Sequence, residues 1–134
     1  MQIKTVLIIS QDENAIEDIK QAFYVCMPDI SVEVMRSAIK TLEISNLSNI
    51  ECVLLDLNGQ IEDGFEVLTM IRKRITAPFI TMSYSRDRSL LVKALTLEAD
   101  NHITKPFNQL ELISIVRACL RRSQQDFGSL RNKY

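Results

Sequence analysis

"VLLDLNGQIEDGFEVL", residues 53–68, changes its period partway along. As far as Leu55 it is an unbroken apolar run, which stops on Asp56; from Phe65 the apolar positions fall three apart, at Phe65, Leu68 and Ile71. A run that is apolar on both alternating sides is a strand covered on both faces, and a spacing of three to four is one side of a helix. The same succession recurs along the chain. Strands are expected from Thr5 to Ile9, Ile30 to Met35, Ile50 to Leu57, Phe79 to Ser83 and His102 to Thr104. Helical stripes follow them: Ile16, Ile19, Ala22 and Phe23; a weaker segment from Ser37 to Leu47; Leu90, Leu91, Ala94 and Leu95; and Leu110, Ile113, Val116 and Leu120. Asn108, with Glu111 three residues on, is expected to cap the last helix. Strands each followed by a helix make an α/β fold with a parallel sheet covered on both faces, because parallel neighbours need right-handed crossovers. Ligands in such sheets lie outside the carboxyl ends of the strands.

Composition bounds the rest. A chain of 134 residues, 46% apolar and 25% charged, reads as one soluble domain. Sixteen basic against seventeen acidic residues leave a formal charge of −1, so the total shows no footprint for nucleic acid or membrane. Cys26, Cys52 and Cys119 are odd in number, dispersed and set in apolar stretches. That pattern suits buried thiols in a reducing compartment better than a disulfide frame or zinc knuckle, and the location is read as cytoplasmic. The opening "MQIKTVLIIS" lacks the length and cleavage site of a signal peptide, and no stretch approaches a membrane span.

The strand ends carry the candidate chemistry: Ser10, Gln11, Asp12 and Glu13 after the first, Asp56 at the third, Ser83 in "PFITMSYS" (78–85) and Lys105 in "HITKPF" (102–107). These blocks, together with "ADNHITKPFNQLELISIVRACLRR" (99–122), resemble the receiver domain of two-component response regulators, over residues 4–122. The last block is similar to the subfamily that carries a winged-helix DNA-binding domain. The resemblance implies a flavodoxin-like, doubly wound five-stranded parallel sheet of order 2-1-3-4-5 with five helices, a receiver domain over 1–122, and no enzyme activity of its own.

It also implies site roles. Asp56 is the match for the aspartate that accepts a phosphoryl group from a histidine kinase, a nucleophile that needs Mg²⁺ to offset gathering negative charge. The family holds that ion with an acidic pair after the first strand, the acceptor aspartate, and the main-chain carbonyl matched by Asn58. Here Ser10 and Gln11 replace the acidic pair, so the metal site is expected to be degenerate and no cofactor is expected. Mg²⁺ enters only if the conventional phosphoacceptor reading holds. Asp12 and Glu13 more naturally serve the first helix as N-terminal acids. Ser83 and Lys105 match the hydroxyl and lysine that contact the phosphoryl group. Tyr84 stands where a small residue is usual and is expected to shield Asp56; His102 stands where an aromatic residue usually swings. Lys105-Pro106 is a candidate cis peptide.

For the winged-helix subfamily the resemblance further implies a homodimer through the fourth helix, fifth strand and fifth helix. Lys93 and Glu111 match one ion pair of that face, Leu95 and Ile113 its apolar centre, and Asp100 with Arg122 form another candidate pair. Asn101 and Ile115 replace a further aspartate and arginine that pair in the family. Ile115 then either strengthens the face or packs inside. "SQQDFGSLRNKY" (123–134) reads as a linker toward an effector domain, through which alone DNA would be bound. An enzyme reading, from the faint likeness of "DLNG" to D-x-D phosphatases, fails because the nucleophile of that class closes an early strand and a later acidic metal motif is missing.

Overall fold

A computed structural model describes residues 4–43, 49–58, 65–84 and 88–132, as backbone alone at Phe65 and beyond Arg122. These residues form strands β1 (Thr5–Ile9), β2 (Ser31–Met35), β3 (Ile50–Asp56), β4 (Phe79–Tyr84) and β5 (Asn101–Lys105), and helices α1 (Glu13–Cys26), α2 (Ala38–Thr41), α3 (Phe65–Arg74), α4 (Arg88–Thr96) and α5 (Gln109–Asn132). The strands make one sheet of order β2-β1-β3-β4-β5. All neighbours are parallel, with Ile9 opposite Met35 and Leu55, Asp56 opposite Met82, and Tyr84 opposite Lys105.

Alternation along the strands sends their side chains into two separate cores. Val6, Ile8, Cys52, Leu54, Ile80, Met82 and Ile103 meet α1 and α5 through Ile16, Ile19, Phe23, Leu112, Ile113 and Val116. Leu7, Ile9, Val53, Leu55 and Phe79 meet Ala38, Leu68, Ile71 and Ala94 of the other three helices on the opposite face. The chain therefore steps from β1 to β2 over one face and returns to β3 over the other, which opens a crevice above β1 and β3.

Local signals set the helix ends. Asp12 caps α1, accepting from the Asn14 and Ala15 N–H groups, and Ser37 caps α2. Asn108 Oδ1 accepts from the Glu111 N–H at 2.7 Å, the expected cap of α5. The expected second helix is seen from Ala38 to Thr41; residues 44–47 of that expectation lie outside the described residues. The stripe expected on α5 shifts: Leu110 is 77% exposed, and Leu112, Ile113, Val116 and Cys119 face the core. Two residues turn a helix by about 200°, so Leu110 and Leu112 cannot share a side. The stretch read as a linker continues α5 to Asn132 without a break. Among the described residues no helix is long and apolar enough to cross a membrane.

Candidate functional site

Parallel strands all end at one edge, so the residues at the ends of β1, β3, β4 and β5 converge there. Asp56 is completely buried. Its Oδ2 accepts hydrogen bonds from Ser10 Oγ and from Lys105 Nζ, each at 2.8 Å, and its Oδ1 accepts from the Asn58 N–H at 3.0 Å. A carboxylate removed from water is costly unless its lone pairs are filled, and three donors fill these. Ser10 is equally buried and uses its hydroxyl in both directions, donating to Asp56 and accepting from the Asp12 N–H at 3.0 Å.

Asp12 completes the corner. One of its oxygens caps α1; the other, Oδ2, accepts from Tyr84 Oη at 2.9 Å and from Lys105 Nζ at 3.1 Å. Desolvation pushes the Asp12 carboxyl up, but the hydrogen bonds from Lys105, Tyr84 and the Ala15 N–H outweigh it and hold the group below its ordinary value. The hydrogen bond to Asp12 and burial raise the Tyr84 phenol. The Tyr84 ring lies 4.3 Å from Lys105 Nζ, and its main-chain N–H donates to Asn58 Oδ1 at 3.2 Å. Tyr84 thus ties the ends of β1, β3, β4 and β5 together and covers the lysine that pairs with Asp56. Lys105-Pro106 is cis.

A magnesium ion takes six oxygens in near-octahedral geometry and needs their lone pairs free. In this arrangement the carboxylate oxygens are turned to hydrogen-bond donors of the chain itself. The Asp56 oxygen nearest β1 already faces a hydroxyl hydrogen and an ammonium, and Asp12 Oδ2 faces the same ammonium and a phenol. Gln11 is exposed and takes no part. Among the described residues no three His, Cys, Asp or Glu side chains are grouped to hold a metal.

Ser83 is buried, but its hydroxyl has turned across the sheet. It meets His102 Nε2 at 3.0 Å, while Thr81 Oγ1 meets Nδ1 of the same ring at 2.7 Å. His102 is half-buried, and burial pushes its pKa down. Asp12 and Thr81 are the members that sequence reasoning undervalued. Asp12 is expected from the sequence chiefly as an acid of the first helix, with an inward swing the lesser alternative, although an N-cap has a second oxygen to spend. Thr81 lies two residues before Ser83 and opposite His102 in the register, so period-two alternation places all three on one face.

The residues expected at a dimer face separate. Leu95 is 73% exposed, and Leu91 and Val92 add to the apolar surface of α4. Ile113 is 2% exposed and packs against the sheet, so it cannot be the centre of a surface patch. It follows Leu112 on the inner side of α5. Ile115 is half-buried and packed against the same core, which favours the inward reading. Asp100 is held within the chain, accepting from the Phe79 N–H at 2.7 Å with Arg72 Nη2 at 4.0 Å. Arg122 instead donates to Ala118 O and Cys119 Sγ. Lys93 is half-buried and Glu111 exposed.

Comparison with known proteins agrees with this geometry. Residues 6–117 match the model of the response regulator receiver domain. The chain is 32% identical to the regulatory protein VanR of Enterococcus faecium over 91% of its length and 52% of that protein's. It is 28% identical to the transcriptional regulatory protein SrrA of Staphylococcus aureus over 88% of its length and 48% of that protein's. It therefore spans about half the length of these curated relatives. Among solved structures, the receiver domain of the TMAO respiratory system response regulator TorR superposes with a TM-score of 0.73 at 25% identity, covering 89% of this chain and 98% of that one. Sheet order, the Asp56 and Lys105 ends and these matches converge: the chain belongs to the response regulator receiver domain family of two-component signalling.

Proposed function

We propose that this receiver is an interaction module of a transcription regulator and works with little or no dependence on aspartyl phosphorylation. The observation that carries the reading is the saturation of Asp56: buried, donated to by Ser10 and Lys105 at one oxygen, with the Tyr84 ring against that lysine. A phosphoryl donor would have to displace an internal hydrogen-bond network that is complete without a metal. Signalling then passes through association. Leu91, Val92 and Leu95 on α4 support a homodimer through α4, β5 and α5, with Lys93 and Glu111 as its polar rim. DNA would be reached through a winged-helix effector domain beyond the receiver, in keeping with relatives about twice its length that carry regulatory names.

The test is direct. With acetyl phosphate and millimolar-range Mg²⁺, the chain is expected to gain no phosphoryl mass at Asp56, and replacing Ser10 and Gln11 together by Asp is expected to restore metal-dependent labelling. Stoichiometric, Mg²⁺-dependent phosphorylation of the unaltered chain overturns the reading. It would establish the conventional alternative, a receiver phosphorylated by a histidine kinase, which has one observation in its favour: Asp12 Oδ2 lies within 3.1 Å of the same ammonium as Asp56 and supplies a second carboxylate at the corner.

A further inference from the structure

His102 is gripped on both sides by hydroxyl groups of the neighbouring strand. A neutral imidazole has one N–H donor and one acceptor nitrogen, so it can accept from one hydroxyl of this clip while donating to the other. In one tautomer, Ser83 donates to Nε2 while Nδ1–H donates to Thr81, whose own hydrogen goes to the Asn101 carbonyl, a long contact of 3.5 Å. In the other, Thr81 donates to Nδ1 and Nε2–H donates to Ser83, which turns the Ser83 hydrogen away from the ring, so the first tautomer is the better satisfied. An imidazolium donates from both nitrogens, which forces both hydroxyl hydrogens away from the ring at once. Thr81 then has only the long contact to Asn101, and the buried Ser83 hydroxyl has no other acceptor among the described residues.

We propose that His102 is a proton-operated clip: the neutral ring is locked between Thr81 and Ser83, and protonation releases it from the sheet toward the open edge of β5 beside α4. The geometry favours outward release because β5 ends the sheet and the ring is already half-exposed. Ile103 points to the α1 and α5 core, so His102 lies on the α4 side of the sheet. The charged groups on the flanking elements that are described are Arg88 and Lys93 of α4, Glu98 and Asp100 between α4 and β5, and Lys105 and Asp56 at the strand ends. Burial, and none of these charges, is the cause that moves His102. Release would alter the surface along the open edge of β5. The clip needs neither a phosphoryl group nor a metal, so it stands or falls separately from the function proposed above.

His102 is the chain's one histidine, which makes an NMR titration of the isotopically labelled chain unambiguous. The ring is expected to titrate below the ordinary histidine value, with the Thr81 and Ser83 amides shifting at the same midpoint. In Ser83→Ala the hydroxyl conflict is gone and the midpoint should rise toward the ordinary value. In His102→Gln, whose amide can still serve both hydroxyls, the coupled amide shifts should vanish. A ring midpoint at or above the ordinary value overturns the proposal. So do Thr81 and Ser83 amides that ignore the ring's titration, or amide shifts that persist in His102→Gln.

Discussion

The corner at Asp56 and the edge at α4 lie at adjacent strand ends yet are finished in opposite ways. In the corner two carboxylates, one ammonium and two hydroxyls satisfy one another, with Ser10, Asp56 and Lys105 buried and Asp12 and Tyr84 at the rim. On α4, three apolar side chains stay in contact with it. Buried polar groups become costly when any one partner is lost, whereas exposed apolar groups contribute little until something covers them. The difference separates stability from association: the corner holds the chain's own structure together, and the edge is left available.

That contrast can be broken by experiment, most severely at Lys105. Lys105→Met leaves Asp12 and Asp56 facing each other without a cation and should cost about 3–5 kcal/mol in urea unfolding at neutral pH. A loss under about 1 kcal/mol would mean that the corner is not held by charge. Ser10→Ala removes one donor to Asp56 and the acceptor of the Asp12 N–H, for an expected cost of about 1–3 kcal/mol in the same assay. If it is neutral, Ser10 is filling space only.

Acid should sharpen the comparison further. The Asp12 carboxyl sits below its ordinary value in the folded chain, so its contribution to stability is complete above the unfolded value and is lost as pH falls through the folded one. His102 obeys the same sign as a base, since the unfolded chain takes up the proton first as pH drops below the usual histidine range. Asp12→Asn should flatten the stability profile below about pH 4, and His102→Gln should flatten the segment above it. The smallest effect on stability is expected at the edge. Leu95→Lys should change unfolding by no more than about 0.5 kcal/mol while abolishing self-association in sedimentation. A monomeric unaltered chain would remove α4 from consideration as a contact surface.

Much of this was legible in the residues. The apolar runs of β1 and β3 and the α1 stripe appear where periodicity put them, because burial on both faces leaves a strong signal. Ser10 and Gln11 were visible as departures, but sequence could not tell that they part company, one sealed beneath Asp12 and the other exposed. The inner side of α5 was misjudged because Leu110, Leu112, Ile113 and Ile115 are all apolar, and only packing against Cys52, Ile80 and Ile103 chooses among them. The clip around His102 needed the β4–β5 register, which joins positions about twenty residues apart.

The two-way hydrogen bond of Ser10 also bears on how such a corner can change. An acid at position 10 alone would set carboxylate against carboxylate at the distance where a hydroxyl now donates. An acid at position 11 alone would sit on the surface and gain nothing. Neither single change toward an acidic pair is therefore expected to improve on the present arrangement, so positions 10 and 11 act as one unit and only their joint replacement can be read as a test of the corner.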